Sequence, residues 1–394
     1  MAIKSRGPGG SRMELDSFTL FAANVVVLAV MAAAFGVAGR GRTAERHWNS
    51  WLTGNLVLAA ALVFFMYERH LPEIVVATVP NGLLVAGFGL RWLAARQFSG
   101  RPDKLYLALA PSALFVMLSL TPAVFGSYAA VYSLTNVLLT GIAAATAFEF
   151  WRDRQDGLPS RYGLVFAYGV IAASFAARVL QGMLGGDSID RYLPNDLMLD
   201  IHLAIAIVHT TASGAFALSV AYERSAQGLR NAAMRDPLTG LYNRRAFEAH
   251  VEERLAGNLG GEFAVVFLDI DNFKLVNDRY GHAVGDEAIR QCASIAAASM
   301  RQGDFIARIG GEEFAAILTD ISAEDAYERI DSIRGEVSAA AILPGPAQEV
   351  LTVSAGICHS SSGFRDFDEL MKLADRGLYK AKHLGRNRVE QLAA

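Results

Sequence analysis

Residues 308–314 read RIGGEEF, inside a run, FIARIGGEEFAAIL (305–318), that is otherwise strand-like. Two glycines break the run, so it reads as two short strands joined by a bend. Gly310 and Gly311 accept φ > 0 without penalty and let the backbone pass close to a bulky ligand. Two glutamates side by side do not serve packing. Glu312 and Glu313 therefore read as groups for a cation.

A second stretch completes that reading. EFAVVFLDID (262–271) is near-continuous apolar sequence, which predicts a strand buried on both faces, and it ends in Asp269 and Asp271. Acids at the end of a buried strand cost desolvation unless a cation meets them. A hairpin beside that strand would bring three or four carboxylates to one sheet edge. Mg²⁺ takes a couple of carboxylates and completes its shell with water and substrate phosphates. Carboxylates, a metal and a glycine bend together suggest nucleotidyl transfer.

Working outward, helical periodicity marks 245–255, 285–301 (opened by Asp286 and Glu287), 323–340 and 366–385, the last stopped at Gly385. A further strand is predicted at 351–360. Alternating strands and helices around a central hairpin predict a mixed α/β sheet. Lys382 and Arg386 share one face at the end of the last helix. They suit phosphate binding and equally suit a solvated helix end favoured by the dipole. Cys292 and Cys358 lie in apolar stretches and read as small buried hydrophobes.

The preceding half is of another kind. Residues 1–222 hold 16 Lys+Arg and 13 Asp+Glu, whereas the shorter 223–394 holds 20 and 26, close to −6 net. Seven apolar stretches stand out: Phe18–Ala38, Trp51–Tyr67, Ile74–Ala95, Leu105–Phe125, Tyr128–Phe150, Tyr162–Leu184 and Leu197–Ala221. Each is near the ~20 residues that cross a hydrocarbon core, so a bundle of about seven transmembrane helices is expected. Basic residues concentrate after the first, third, fifth and seventh spans (Arg40, Arg42, Arg46; Arg96, Arg101, Lys104; Arg152, Arg154, Arg161; Arg224, Arg230). The alternate connections carry only Arg69 and Arg191. The odd connections then face the cytoplasm, with the N-terminus outside and the charged domain inside. Lys4, Arg6 and Arg12 oppose that orientation, and a translation start at Met13 would remove them. Arg178, His202 and His209 are ionisable groups inside spans. They read as a ligand, metal or proton site, or as residues that face bundle partners or snorkel. From 222 to 235 a short helix leaves the membrane, and Pro237 ends it.

Five motifs stand in order over Asp236–Val389: DPLTGLYNRR, FLDIDNFKLVNDRYGHAVGDE, RIGGEEF, VSAGI and ADRGLYKAKHLGRNRV. On these residues the domain resembles the GGDEF family, the diguanylate cyclases, whose fold is similar to the palm of nucleotide cyclases and polymerases. The resemblance implies that two GTP are joined into cyclic di-GMP, with release of two pyrophosphates. It implies a divalent metal, Mg²⁺ or Mn²⁺, on Asp269, Glu312 and the Ile270 carbonyl. By position, Asn277 and Asp286 match the guanine contacts. Phe273 and Lys274 match the loop around the phosphates, and Lys382 and Arg386 the triphosphate contacts. Gly310 and Gly311 match the bend against the nucleotide, and Glu313 the second acid near the ribose 3′-hydroxyl. Arg301 and Asp304 match the R-x-x-D inhibitory site for the product.

The expected organisation is an N-terminal tail (1–17), a transmembrane sensor (18–221), a helical linker (222–235) and a GGDEF domain (236–394). The expected partners are GTP, cyclic di-GMP, membrane lipid and a second copy in a catalytic homodimer, with no nucleic acid. The expected location is the bacterial inner membrane, with the GGDEF domain in the cytoplasm. The competing reading is a non-catalytic receptor for GTP or cyclic di-GMP.

Overall fold

The structure, a computed structural model, describes residues 16–41, 45–185, 189, 192–256, 261–344, 350–362 and 367–392. The expectations placed on Lys4, Arg6, Arg12, Met13, Arg42 and Arg191 lie outside the described residues. The chain divides into two compact units, Met1–Ala226 and Gln227–Ala394.

The first unit is helical: α1 (Ser17–Ala38), α2 (His47–Met66), α3 (Glu73–Phe98), α4 (Leu105–Ser119), α5 (Pro122–Phe125), α6 (Tyr128–Arg152), α7 (Ser160–Gly185) and α8 (Leu197–Ala233). Six of these are long and apolar enough to cross a membrane. The fourth expected span is the exception. Thr121 is extended, as a residue before proline tends to be, so Leu105–Phe125 splits into α4 and α5. Fifteen residues of helix reach only about 22 Å, short of the ~30 Å hydrocarbon core. α3 runs unbroken through Pro80. The Val76 carbonyl, which proline cannot meet, accepts from Asn81 Nδ2 at 3.4 Å.

The bundle core holds Phe35, Trp51, Phe88, Phe150, Tyr168 and Phe175. Its outer surface is apolar as well, with Val26, Val30, Met117 and Phe166 exposed. A protein in water rarely presents so much apolar surface. Charges gather at one end. Glu149, buried near the end of α6, meets Arg96 and Arg101, and Arg161 meets Asp156. Past the last span, α8 continues as a helix to Ala233.

The second unit contains β1 (Tyr242–Asn243), α9 (Arg244–Ala256), β2 (Phe263–Ile270), α10 (Phe273–Tyr280), α11 (His282–Ala298), β3 (Phe305–Arg308), β4 (Glu313–Thr319), α12 (Ala323–Ala339), β5 (Val353–His359), α13 (Phe367–His383) and β6 (Val389–Leu392). The sheet order is β1-β3-β4-β2-β5-β6. β1/β3 and β5/β6 are parallel, and the inner pairs are antiparallel. All eight residues of β2 are buried, as its unbroken apolar run requires of a central strand covered on both faces. One face packs under α11 and α12, through Ile289, Ile330 and Val266. The other packs against α9 and α13, through Phe247, Val265 and Leu373. Cys292 and Cys358 are buried, one in each core, and form no disulfide.

Periodicity did not foresee α10, β1 or β6, which are short. α11 also starts earlier than expected, at His282 behind Gly281, so Asp286 lies in its second turn.

Candidate functional site

The site grows from the end of β2. Antiparallel register sets Asp269 opposite Glu313 on β4, and the Ile270 amide donates to the Glu312 carbonyl at 3.3 Å. The loop between β3 and β4 is thereby held against the strand that carries Asp269. Asp269 is 5% exposed, Glu312 half-buried and Glu313 exposed. Lys382, in the last turn of α13, places Nζ 2.7 Å from Asp269 Oδ2.

Desolvation pushes the Asp269 carboxyl up to about 6. The Lys382 ammonium opposes the rise, and Glu312 and Glu313 add to it. A buried carboxylate, raised by neighbouring acids and met by one lysine, fits a hard divalent cation. The expected convergence of three or four carboxylates is not found: among the described residues, no group of three or more His, Cys, Asp or Glu is placed to hold a metal ion. Asp271 explains part of this. It is buried, and its carboxylate accepts from Ser354 Oγ (2.7 Å), Thr352 Oγ1 (2.8 Å) and the Asn387 amide (3.0 Å). Asp271 is a clamp between β5 and the loop after α13. That loop carries Arg386, and both Arg386 and Asn387 hold φ > 0, at 64° and 45°.

The glycine pair works differently from the expectation. Neither Gly310 nor Gly311 is among the positive-φ residues. A Cβ on Gly310 would lie 2.3 Å from Glu313 Oε2, the end of an exposed side chain, and one on Gly311 would meet nothing within 4 Å. Arg308, which sequence reading passed over, secures the bend. Its Nη2 and Nε donate to the Gly311 carbonyl at 2.7 and 3.0 Å, and its Nη1 pairs with Asp236 at 3.0 Å. Against desolvation, the bonds from Thr239 and Arg308 hold Asp236 below the usual carboxylate range. DPLTG and RIGGEEF, far apart in the chain, are thus one local structure.

α10 starts directly after the β2 acids, behind Asn272 in the left-handed region (φ 53°). Phe273 and Lys274 are its first two residues, where helical amides have no intrahelical acceptor and anions are favoured. Asn277 sits one turn on, half-buried. Gly285 of α11 faces it: a Cβ there would lie 1.9 Å from Asn277 Oδ1. Only glycine lets α11 close on α10 at that point, and Asp286 follows immediately, exposed.

Arg301 and Asp304 occupy the turn before β3. Asp304 is consumed locally. Its side chain is 1% exposed and accepts from the Arg301 amide (2.8 Å), the Thr319 amide (2.9 Å) and Arg329 Nη1 (2.7 Å). Arg301 is presented outward.

Residues 233–388 match the family model described as "Diguanylate cyclase, GGDEF domain". This part of the chain is a GGDEF domain. The similarity extends to Probable diguanylate cyclase DgcT of Escherichia coli (39% identical over 165 residues, 41% of this chain and 36% of that protein). Diguanylate cyclase DgcP of Pseudomonas aeruginosa is 36% identical over 172 residues, 43% of this chain and 26% of that protein. The chain thus spans well under half the length of either relative. Among solved structures, the coiled coil and GGDEF domain of DgcB from Caulobacter crescentus, in complex with c-di-GMP, aligns with a TM-score of 0.43 at 31% identity. That alignment covers 47% of this chain and 99% of that one. The aligned segments contain the whole GGDEF site; the helical unit ahead of it has no part in the family match.

Proposed function

We propose that the chain is a membrane-bound diguanylate cyclase: it joins two GTP into cyclic di-GMP and releases two pyrophosphates. The observation that carries this is buried Asp269, met by Lys382 at 2.7 Å and set opposite Glu313 in the sheet, just ahead of the start of α10. Carboxylates for a divalent cation, a cation for phosphate and free helical amides are what a triphosphate needs in one place. Mg²⁺ or Mn²⁺, held by Asp269, Glu312 and the Ile270 carbonyl, would supply charge stabilisation at the phosphate oxygens. Phe273 and Lys274 cradle the phosphates, and Lys382 and Arg386 neutralise their outer oxygens. Asn277 donates to and accepts from guanine, and Asp286 accepts from its N–H groups. Glu313, the more exposed acid, stands at the side where a ribose 3′-hydroxyl would lose its proton.

Each domain binds one nucleotide. The attacking 3′-hydroxyl must therefore come from a second copy, and two domains face each other as a homodimer. Positioning supplies much of the acceleration. Residues 18–221 act as the membrane sensor and 222–235 as a helical linker. The domain from 236 lies on the cytoplasmic side of the bacterial inner membrane. Arg301 offers an outward guanidinium for a guanine edge of the product, and Asp304 fixes the turn that presents it.

The test is GTP turnover by the full chain in detergent with Mg²⁺. Glu312→Gln is expected to lower cyclic di-GMP formation at least a hundredfold while GTP still binds. GTP binding without product in the wild type would replace the cyclase with the receptor reading. Arg301→Ala is expected to leave the initial rate unchanged and to remove inhibition by added cyclic di-GMP; equal inhibition in both proteins would discard the inhibitory site.

A further inference from the structure

Inside the helical unit, α3, α6, α7 and α8 contribute to the wall of a cavity of about 90 Å³. Part of the wall is apolar, including Leu58, Phe88, Leu139 and Phe175. Set into it are two arginines, Arg91 and Arg178, 3% and 4% exposed. Among the described residues, no aspartate or glutamate lines the cavity.

The two arginines differ. Arg91 is fully engaged by neutral acceptors. Its Nε and Nη2 reach Asn55 Oδ1 at 3.0 and 2.5 Å, and its Nη1 meets His209 Nε2 at 3.2 Å. The other ring nitrogen of His209 lies 3.0 Å from the Ala167 carbonyl. This fixes a neutral ring with its proton on Nδ1, so His209 is a positioning group and its nitrogens are not open to a metal. Arg178 lies over the Tyr132 ring at 5.0 Å, and its Nη1 is buried with no hydrogen-bond partner. Asp196, the acid of the preceding connection, is taken up by Gln181 and the Leu199 amide.

Elsewhere in this unit, buried Arg161 pairs with Asp156 and half-buried Arg101 with Glu149. A buried guanidinium without an anion is costly in low dielectric, and such groups within spans mark functional sites. A small anion in the cavity would give the buried Arg178 Nη1 the partner it lacks. The apolar walls ask that it carry an apolar body. The planar guanidinium fork favours a carboxylate. The volume keeps it small, since an apolar cavity of about 150 Å³ admits benzene.

We propose that this cavity binds a small organic monocarboxylate, its carboxylate on Arg178 and its apolar body against Phe175 and Phe88. Phe175 is the natural floor: its ring lies 4.9 Å from His202 and 5.2 Å from Phe88. His202, held by Ser174 at 2.8 Å, also lines the cavity. The site belongs to the helical unit alone. Only its use as an input to the GGDEF domain rests on the cyclase reading, and binding is measured without turnover.

The experiment is titration calorimetry on the full chain in detergent, with propionate and butyrate as probes and propionamide and butyramide as neutral counterparts. Saturable binding of at least one carboxylate is expected, with its neutral counterpart at least tenfold weaker. Arg178→Gln is expected to weaken the carboxylate at least tenfold, and Arg178→Lys, which keeps the charge, to weaken it less. If Arg178→Gln does not fold, Phe175→Trp, which fills the cavity and keeps the arginine, is expected to abolish binding. The proposal is overturned if neither carboxylate binds, if the neutral counterparts bind as well, if chloride competes at equal concentration, or if these variants bind unchanged.

Discussion

Asp269 and Asp271 are two residues apart at the end of one strand and do opposite work. Asp271 has acceptors filled by Ser354, Thr352 and Asn387, so its charge is spent on holding the loop of Arg386. Asp269 has one lysine and two acidic neighbours, and its carboxyl is raised to about 6. The sign follows from linkage. A carboxyl whose folded pKa lies above its unfolded value binds its proton more tightly in the fold, so stability falls as pH rises from about 4 to about 6. At neutral pH the ionised acid is a net cost that a cation would offset. Asp269→Asn is therefore expected to raise the thermal midpoint without metal by a few degrees near pH 7.5 and by less near pH 5, and to lose GTP turnover. Thermal unfolding at both pH values, beside a turnover assay, checks this. An equal or lower midpoint for the variant near pH 7.5 would contradict the assigned cost. Stability given up at a functional group is a common trade.

At the scale of elements, the site is a meeting of pieces that each have another anchor. The β3–β4 bend is tied to Asp236 through Arg308, and α10 is docked on α11 where Gly285 admits Asn277. α13 lies on β5 at Gly356. A Cβ there would sit 2.1 Å from both the Ala374 carbonyl and the Leu378 amide. Backbone atoms cannot swing aside as a side chain can. Gly356→Ala is expected to lift α13 from the sheet, at a cost of about 2–3 kcal/mol as for overpacked cores. It would also carry Lys382 away from Asp269, so turnover should fall together with the denaturation midpoint. A variant as stable and as active as the wild type would show that the helix has room to adjust. Most of these elements were legible in the sequence, because long apolar periods announce them. α10, β1 and β6 were not, since a few residues of helix or edge strand carry too little periodicity to stand out. Arg308 and Gly285 were invisible for another reason. Their roles are defined by partners that only folding brings near.

For the whole molecule, the orientation set out above places the α3–α4 connection in the cytoplasm and the segment before α6 outside. Cysteine introduced at Gly100 is expected to resist a membrane-impermeant maleimide in intact cells, and one at Ser127 to react; the native cysteines are both buried. The reverse pattern would invert the topology, and reaction at both positions would mean that α4 and α5 do not carry the chain across. The sequence by itself determined the division into an apolar helical half and a charged α/β half, the central strand and the acids at its end. Hydropathy, charge and period are local properties, and they survive in one dimension. It also carried the five motifs that mark the GGDEF domain. Only the tertiary structure decided which of the two acids is spent as a clamp and which faces the site, that the glycine pair does not use φ > 0, and that Asp304 is a buried brace. It alone set Arg178 at a cavity with its Nη1 buried and unpartnered. Those outcomes depend on who meets whom across the fold, and a buried charge takes its meaning from its neighbours in space.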